Sequence, residues 1–205
     1  MSKMKIAVLA SGRGSNLQAI MDNIQSNTLN VEIAVVICDN HQAYALERAR
    51  SANIDAVSFV PSDFPNKLAF EQAIIEKLQN YQVELVVLAG YMRIISADFV
   101  RAFPNKILNI HPALLPAFPG LHAQKQAVDY GAKLSGCTVH FVDEGMDTGP
   151  IISQIAVPVE HDDTPDSLAD RIIKCEHRLY SEVIECYAQG RIQVNGRRVT
   201  ILPKL

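Results

Sequence analysis

Four short, almost unbroken apolar runs, each followed by residues at helical spacing, constrain this chain more than any other feature of its sequence. Residues 5–10 read Lys-Ile-Ala-Val-Leu-Ala; a Ser-Gly-Arg-Gly-Ser-Asn turn follows, and Leu17, Ile20, Met21 and Ile24 then recur along one helix face. Residues 31–38 form the second run, with Ala43, Leu46, Ala49 and Arg50 behind it. Residues 57–60 form a third, weaker run before a helix over 63–80, and residues 83–89 form the fourth. A strand that is apolar along its whole length has to be covered on both faces, which is the situation of a parallel strand flanked by crossover helices.

The second half breaks this rhythm. Ser96 predicts a short helix ended by Pro104, residues 107–111 another strand, and Pro112, Pro116 and Pro119 a long shaped loop. A helix over 124–130 is closed by Gly131. Runs 137–142 and 151–159 flank the turn-rich segment 143–150. Thr164-Pro165 opens a helix whose face, Leu168, Ile172, Cys175, Leu179, Val183 and Cys186, runs to Gly190. Asn195-Gly196 predicts a type I′ hairpin within 191–201. The expected fold class is α/β: a three-layer α/β/α sandwich on a mainly parallel twisted sheet, with antiparallel additions toward the C-terminus, in a single domain over residues 1–205.

Composition removes several classes of function. Nineteen Lys and Arg against 22 Asp and Glu leave a net charge of −3, so the basic excess of a nucleic-acid surface is missing. No apolar run approaches the ~20 residues of a membrane span. Cys38, Cys137, Cys175 and Cys186 form no Cys-x-x-Cys pair, which points to a reducing compartment, the cytoplasm.

Three places could carry chemistry. In the first turn, Gly12, Gly14, Ser15 and Asn16 precede a helix whose unpaired N–H groups suit a phosphate. Leu17 stands where the dinucleotide fingerprint needs another glycine, so a small phosphorylated ligand is favoured over NAD, and a bare tight turn stays open. Asp39 could meet a ribose or simply make a turn. In the second place, Asn109 and His111 are two apart on a strand and share a face at its C-terminal end, where open α/β sheets hold ligands. An asparagine amide can stabilise an oxyanion and a histidine can move a proton near neutrality; a structural His before Pro112 is the alternative. Third, Asp147 lies between Gly145 and Gly149, where it could reach the same sheet edge or cap a turn. His140 shares a face with Thr138 and is read as structural. No histidine or cysteine spacing suggests a metal site.

Four segments, Ser11-Gly-Arg-Gly-Ser-Asn-Leu17, Leu88-Ala-Gly-Tyr-Met-Arg-Ile94, Asn109-Ile-His-Pro-Ala-Leu-Leu-Pro116 and Val139-His-Phe-Val-Asp-Glu-Gly-Met-Asp-Thr-Gly-Pro150, resemble the motifs of the phosphoribosylglycinamide formyltransferases. These folate-dependent transferases act in purine biosynthesis. The resemblance implies transfer of the formyl group of 10-formyltetrahydrofolate to glycinamide ribonucleotide, with no metal. It assigns catalysis to Asn109, His111 and Asp147. It assigns the ribonucleotide to Gly14, Ser15, Asn16 and Glu176, and the folate to Lys67, Met92, Arg93, Ile94, Ile95 and Asn109. Ala113 stands where the family usually carries Ser, and Lys67 where it commonly has Arg. With both substrates anionic and the chain near neutral, capture is expected to rest on the first helix's N-terminus, Arg93 and Lys67. Monomer and homodimer both stay open. Formyltetrahydrofolate deformylase and methionyl-tRNA formyltransferase share much of the pattern but generally add a domain, for which these residues leave no room. A non-catalytic nucleotide-binding α/β module is the remaining alternative.

Overall fold

The computed structural model of the protein describes residues 3–204. The chain divides into two compact units, one ending at Leu108 and the other beginning at Asn109. The first contains β1 (Met4–Ala10), α1 (Ser15–Gln25), β2 (Val31–Cys38), α2 (Tyr44–Ser51), β3 (Ala56–Ser58), α3 (Lys67–Asn80), β4 (Leu85–Leu88) and α4 (Ala97–Ala102). β1 runs parallel to both β2 and β4, and β2 parallel to β3. Residues 6–10 of β1 are fully buried, as their unbroken apolar sequence requires of a strand covered on both faces.

After β5 (Ile107–His111), the second unit contains α5 (Ala123–Tyr130), β6 (Leu134–Phe141), β7 (Ile151–Pro158), α6 (Pro165–Ala188), β8 (Ile192–Asn195) and β9 (Arg198–Ile201). β6 and β7 are antiparallel, as are β8 and β9. The strand order β3-β2-β1-β4-β5-β6-β7 places β1 inside the sheet, so the chain winds first one way and then the other. This is the α/β class expected, mainly parallel with antiparallel strands toward the C-terminus. Loops after β1 and β4 flank the point where the winding reverses, the place open α/β sheets reserve for ligands.

Several boundaries differ from the sequence reading for local reasons. The third strand is only Ala56–Ser58, because Pro61 starts a 3-10 turn over Pro61–Asp63. α3 begins at Lys67 and not near residue 63, since the Asn66 side chain accepts the Ala69 amide and caps it. The last hairpin pairs Asn195 with Arg198, so its central residues are Gly196-Arg197. Only Gly196 has positive φ, as in a type II′ turn and not the I′ turn expected of Asn-Gly. Among the described residues no helix is long and apolar enough to cross a membrane.

Candidate active site

At the C-terminal end of β5, Asn109 and His111 meet two residues from β6 and the loop after it. Asn109 Nδ2 lies 3.2 Å from His140 Nε2. His111 Nδ1 is 3.4 Å from Asp147 Oδ2, while its Nε2 is 2.8 Å from the Phe118 carbonyl. A carbonyl only accepts, so Nε2 of His111 carries a hydrogen and Nδ1 is the nitrogen turned to the carboxylate. Asp147 Oδ2 also accepts the Gly120 amide at 2.8 Å. The three residues joined by the sequence reading therefore converge, with His140 as a fourth.

His140 has a defined tautomer. Its Nδ1 donates to the Phe141 carbonyl at 2.8 Å, which leaves Nε2 as the acceptor for one Asn109 amide hydrogen. Burial holds this imidazole below its ordinary pKa, outweighing the Phe141 carbonyl and the Asp147 carboxylate, which favour the charged form. The 3.7 Å between His140 Nε2 and Asp147 Oδ1 is therefore proximity of a neutral ring to a carboxylate and not an ion pair. Strand alternation puts Thr138 on the same face. Its hydroxyl donates to the Ala113 carbonyl at 2.6 Å and accepts the Leu115 amide at 3.1 Å, fixing the loop that follows His111. The β6–β7 register shifts between Val139 and His140, a bulge of the kind found beside active sites.

The loop that carries Asp147 is built around Asp143, whose Oδ1 accepts the Gly145 amide at 3.1 Å and the Thr148 hydroxyl at 2.6 Å. Asp147 itself takes a left-handed φ of 53°. Gly149 passes so close to β6 that a Cβ there would stand 1.8 Å from the Phe141 carbonyl oxygen, so no side chain fits.

The remaining candidates are distributed as follows. Gly14 is the left-handed N-cap of α1 (φ 70°) and, as a glycine, brings no side-chain cap; Ser15 and Asn16 are the helix's first two residues. Met92 and Ile94 are 64% and 58% exposed on the loop after β4, whereas Ile95 is buried. Three of that loop's own donors pin it. The Met92 amide donates to Ser11 Oγ at 2.9 Å, Arg93 Nε to Asp39 Oδ2 at 2.6 Å, and the Ser96 amide to Glu71 Oε1 at 3.0 Å. Lys67 Nζ lies 3.7 Å from the same Glu71 oxygen. Arg93 and Lys67 each face a buried carboxylate, so the local positive charge expected of them is largely offset. Asp39 is accordingly the anchor of Arg93. Glu176 is buried on α6, where its charge bears on Cys137 of β6.

Residues 4–184 match the formyl transferase family. The chain is 49% identical over 181 residues to the phosphoribosylglycinamide formyltransferase of Bacillus subtilis, covering 88% of this chain and 93% of that protein. It is 43% identical over 190 residues to the trifunctional purine biosynthetic protein adenosine-3 of Drosophila melanogaster, covering 92% of this chain but 14% of that much longer protein. The crystal structure of glycinamide ribonucleotide transformylase 1 from Symbiobacterium toebii superposes with a TM-score of 0.96 at 53% identity, covering 98% of this chain and 95% of that one.

Proposed function

The chain belongs to the formyl transferase family, and from that premise we propose that it transfers the formyl group of 10-formyltetrahydrofolate to the amino group of glycinamide ribonucleotide in de novo purine biosynthesis. The observation that carries this reading is the convergence of Asn109, His111 and Asp147 at the end of β5. Residues 1–205 act as one formyltransferase domain, in the cytoplasm, on small molecules and not on nucleic acid or membrane. The N-terminal half supplies the phosphate-binding βαβ units and the folate contacts at Lys67 and residues 92–95, and the C-terminal half the catalytic loops with the folate contact of Asn109.

The ribonucleotide amine attacks the formyl carbon, so negative charge gathers on the formyl oxygen while a proton leaves the amine and another reaches the departing folate nitrogen. Asn109 serves the oxyanion: with one Nδ2 hydrogen held by His140, the other is directed at the reacting oxygen. His111 contributes as the imidazolium, its Nδ1–H paired to Asp147. Its Nε2–H exchanges the Phe118 carbonyl for the formyl oxygen, a step that displaces the loop at Phe118. Asp147 holds His111 and organises a water that relays the amine proton. An α-amino group with pKa of about 8 is partly protonated at neutral pH, and attack needs its free base. Gly14, Ser15 and Asn16 bind the substrate phosphate and Glu176 its ribose. Met92, Arg93, Ile94 and Ile95 form the segment along the folate pterin, with Ile95 buried behind it, Asn109 also contacts the folate, and Lys67 reaches toward a folate carboxylate. The direct attack takes place in a ternary complex, by a monomer or a homodimer, without metal.

The test is to mix the protein with 10-formyltetrahydrofolate, with and without glycinamide ribonucleotide, and follow folate absorbance. Turnover that requires the ribonucleotide is expected. Deformylation that ignores it would make the protein a hydrolase, and no turnover would leave a nucleotide-binding module.

A further inference from the structure

The Gly-rich loop after β1 is shaped from behind by α2. Ala45 and Arg48 are three apart and therefore share the α2 face turned to the loop. The Ala45 amide, one of the orphan donors of the first helical turn, donates to the Gly12 carbonyl at 3.1 Å. Arg48 Nε donates to the next carbonyl, Arg13, at 2.9 Å. Gly14 then packs directly on Ala45: a Cβ on Gly14 would lie 2.8 Å from Ala45 Cβ. Three consecutive loop residues thus lean on two residues of one helix turn.

In a trans peptide the carbonyl and the following N–H point in opposite directions. Drawing the carbonyls of Gly12 and Arg13 onto α2 turns the amides of Arg13 and Gly14 away from it. Successive amides turned the same way, next to a left-handed residue, form an anion nest, and here they adjoin the first turn of α1. The Arg48 guanidinium is itself held. Its Nη1 donates to Gln18 Oε1 on α1 at 2.8 Å, and its plane sits 4.7 Å over the Tyr44 ring. One planar cation therefore ties α2, the loop and α1 together through a spread of donors that a lysine ammonium, whose three N–H groups radiate from one nitrogen, does not reproduce.

We propose that Arg48, seated with Ala45 on α2, is a positioning residue for the ribonucleotide phosphate, acting through the backbone of residues 12–14 and not by contact with the substrate. This rests on reading Gly14–Asn16 as the phosphate loop. In steady-state assays, Arg48→Ala is expected to raise KM for glycinamide ribonucleotide about tenfold, the scale of one lost directed hydrogen bond, with KM for folate and kcat within about twofold of wild type. Arg48→Lys recovers part of the loss. With the dephosphorylated glycinamide riboside as acceptor, Arg48→Ala and wild type become equal, because no phosphate remains to be positioned; a general structural defect would persist. An unchanged ribonucleotide KM in Arg48→Ala, or equal losses with both acceptors, overturns the proposal. Ser15→Ala separates the two readings. If it raises the ribonucleotide KM while Arg48→Ala does not, the loop binds phosphate and the buttress is wrong. If neither variant moves that KM, the phosphate-loop reading falls and takes the buttress with it.

Discussion

Asn109 and Asp147 are each held by a partner chosen by the fold. In the proposed reaction Asn109 is an oxyanion donor, and losing one such donor typically costs ~10²–10³ in rate. Asn109→Ala is therefore expected to lower kcat by about that factor, and Asp147→Ala, which removes the group that holds His111 and organises the relay water, by the ~10²–10⁴ typical of general acid–base catalysis; near wild-type turnover in either would remove it from the mechanism. His140 acts one step back. His140→Ala leaves the Asn109 amide without its acceptor, a net hydrogen bond of ~1 kcal/mol, so kcat is expected to fall roughly fivefold to tenfold. Because burial keeps His140 neutral, the shape of the pH–rate profile in His140→Gln should match wild type. A profile that loses a limb would mean that His140 titrates in catalysis. The Asn109–His111 pair was legible in the sequence because strand alternation puts i and i+2 on one face. His140 was not, since alternation says that Thr138 and His140 share a face and nothing about what faces them.

α6 shows how much of an element local sequence dictates. Thr164 accepts the Ser167 amide while Ser167 Oγ accepts the Thr164 amide, a reciprocal cap, with Pro165 at the first position. Thr164→Ala is expected to destabilise the protein by about 1 kcal/mol, seen as a Tm lower by roughly 2–4 °C in a chain of this size. Just upstream, Asp163 accepts from Arg171 Nη1 at 2.7 Å, from Arg171 Nη2, and from Ser167 Oγ at 2.7 Å. The Arg171 guanidinium, then the Ser167 hydroxyl, hold its carboxyl well below the usual carboxylate range. A depressed folded-state pKa gives stability that is present above the unfolded value of about 3.9 and is lost as pH falls below it. Asp163→Asn should lower Tm at neutral pH, and the gap to wild type should close in acid. A gap that is constant with pH would assign the effect to packing. The inner face of α6 also follows its spacing, with Leu168, Ile172, Leu179 and Val183 buried, while Cys175 and Cys186 sit at its margin.

At the scale of the molecule, Cys38 and Cys137 report on the two halves of the chain, one from β2 and one from β6. Burial pushes both thiols up to about 12, so neither is a thiolate at pH 8 and both should resist alkylation in the native protein. If residues 1–205 are one cooperative domain, both should become reactive over the same range of guanidinium concentration, read peptide by peptide in a mass spectrometer. Separate transitions would mean two domains. What the sequence by itself determined is the winding: apolar runs, helix periods and caps are local signals within about four residues, and they place the strands, the helices and the loops after β1, β4 and β5. Pairings between residues far apart in the chain come instead from the packing of elements. Arg93 meets Asp39 across 54 positions and Asn109 meets His140 across 31, and these contacts decide which cation already has a carboxylate and which side-chain amide already has an acceptor. The physical reason is range: periodicity records which side of an element a residue faces, whereas the partner waiting on that side is fixed by how elements pack.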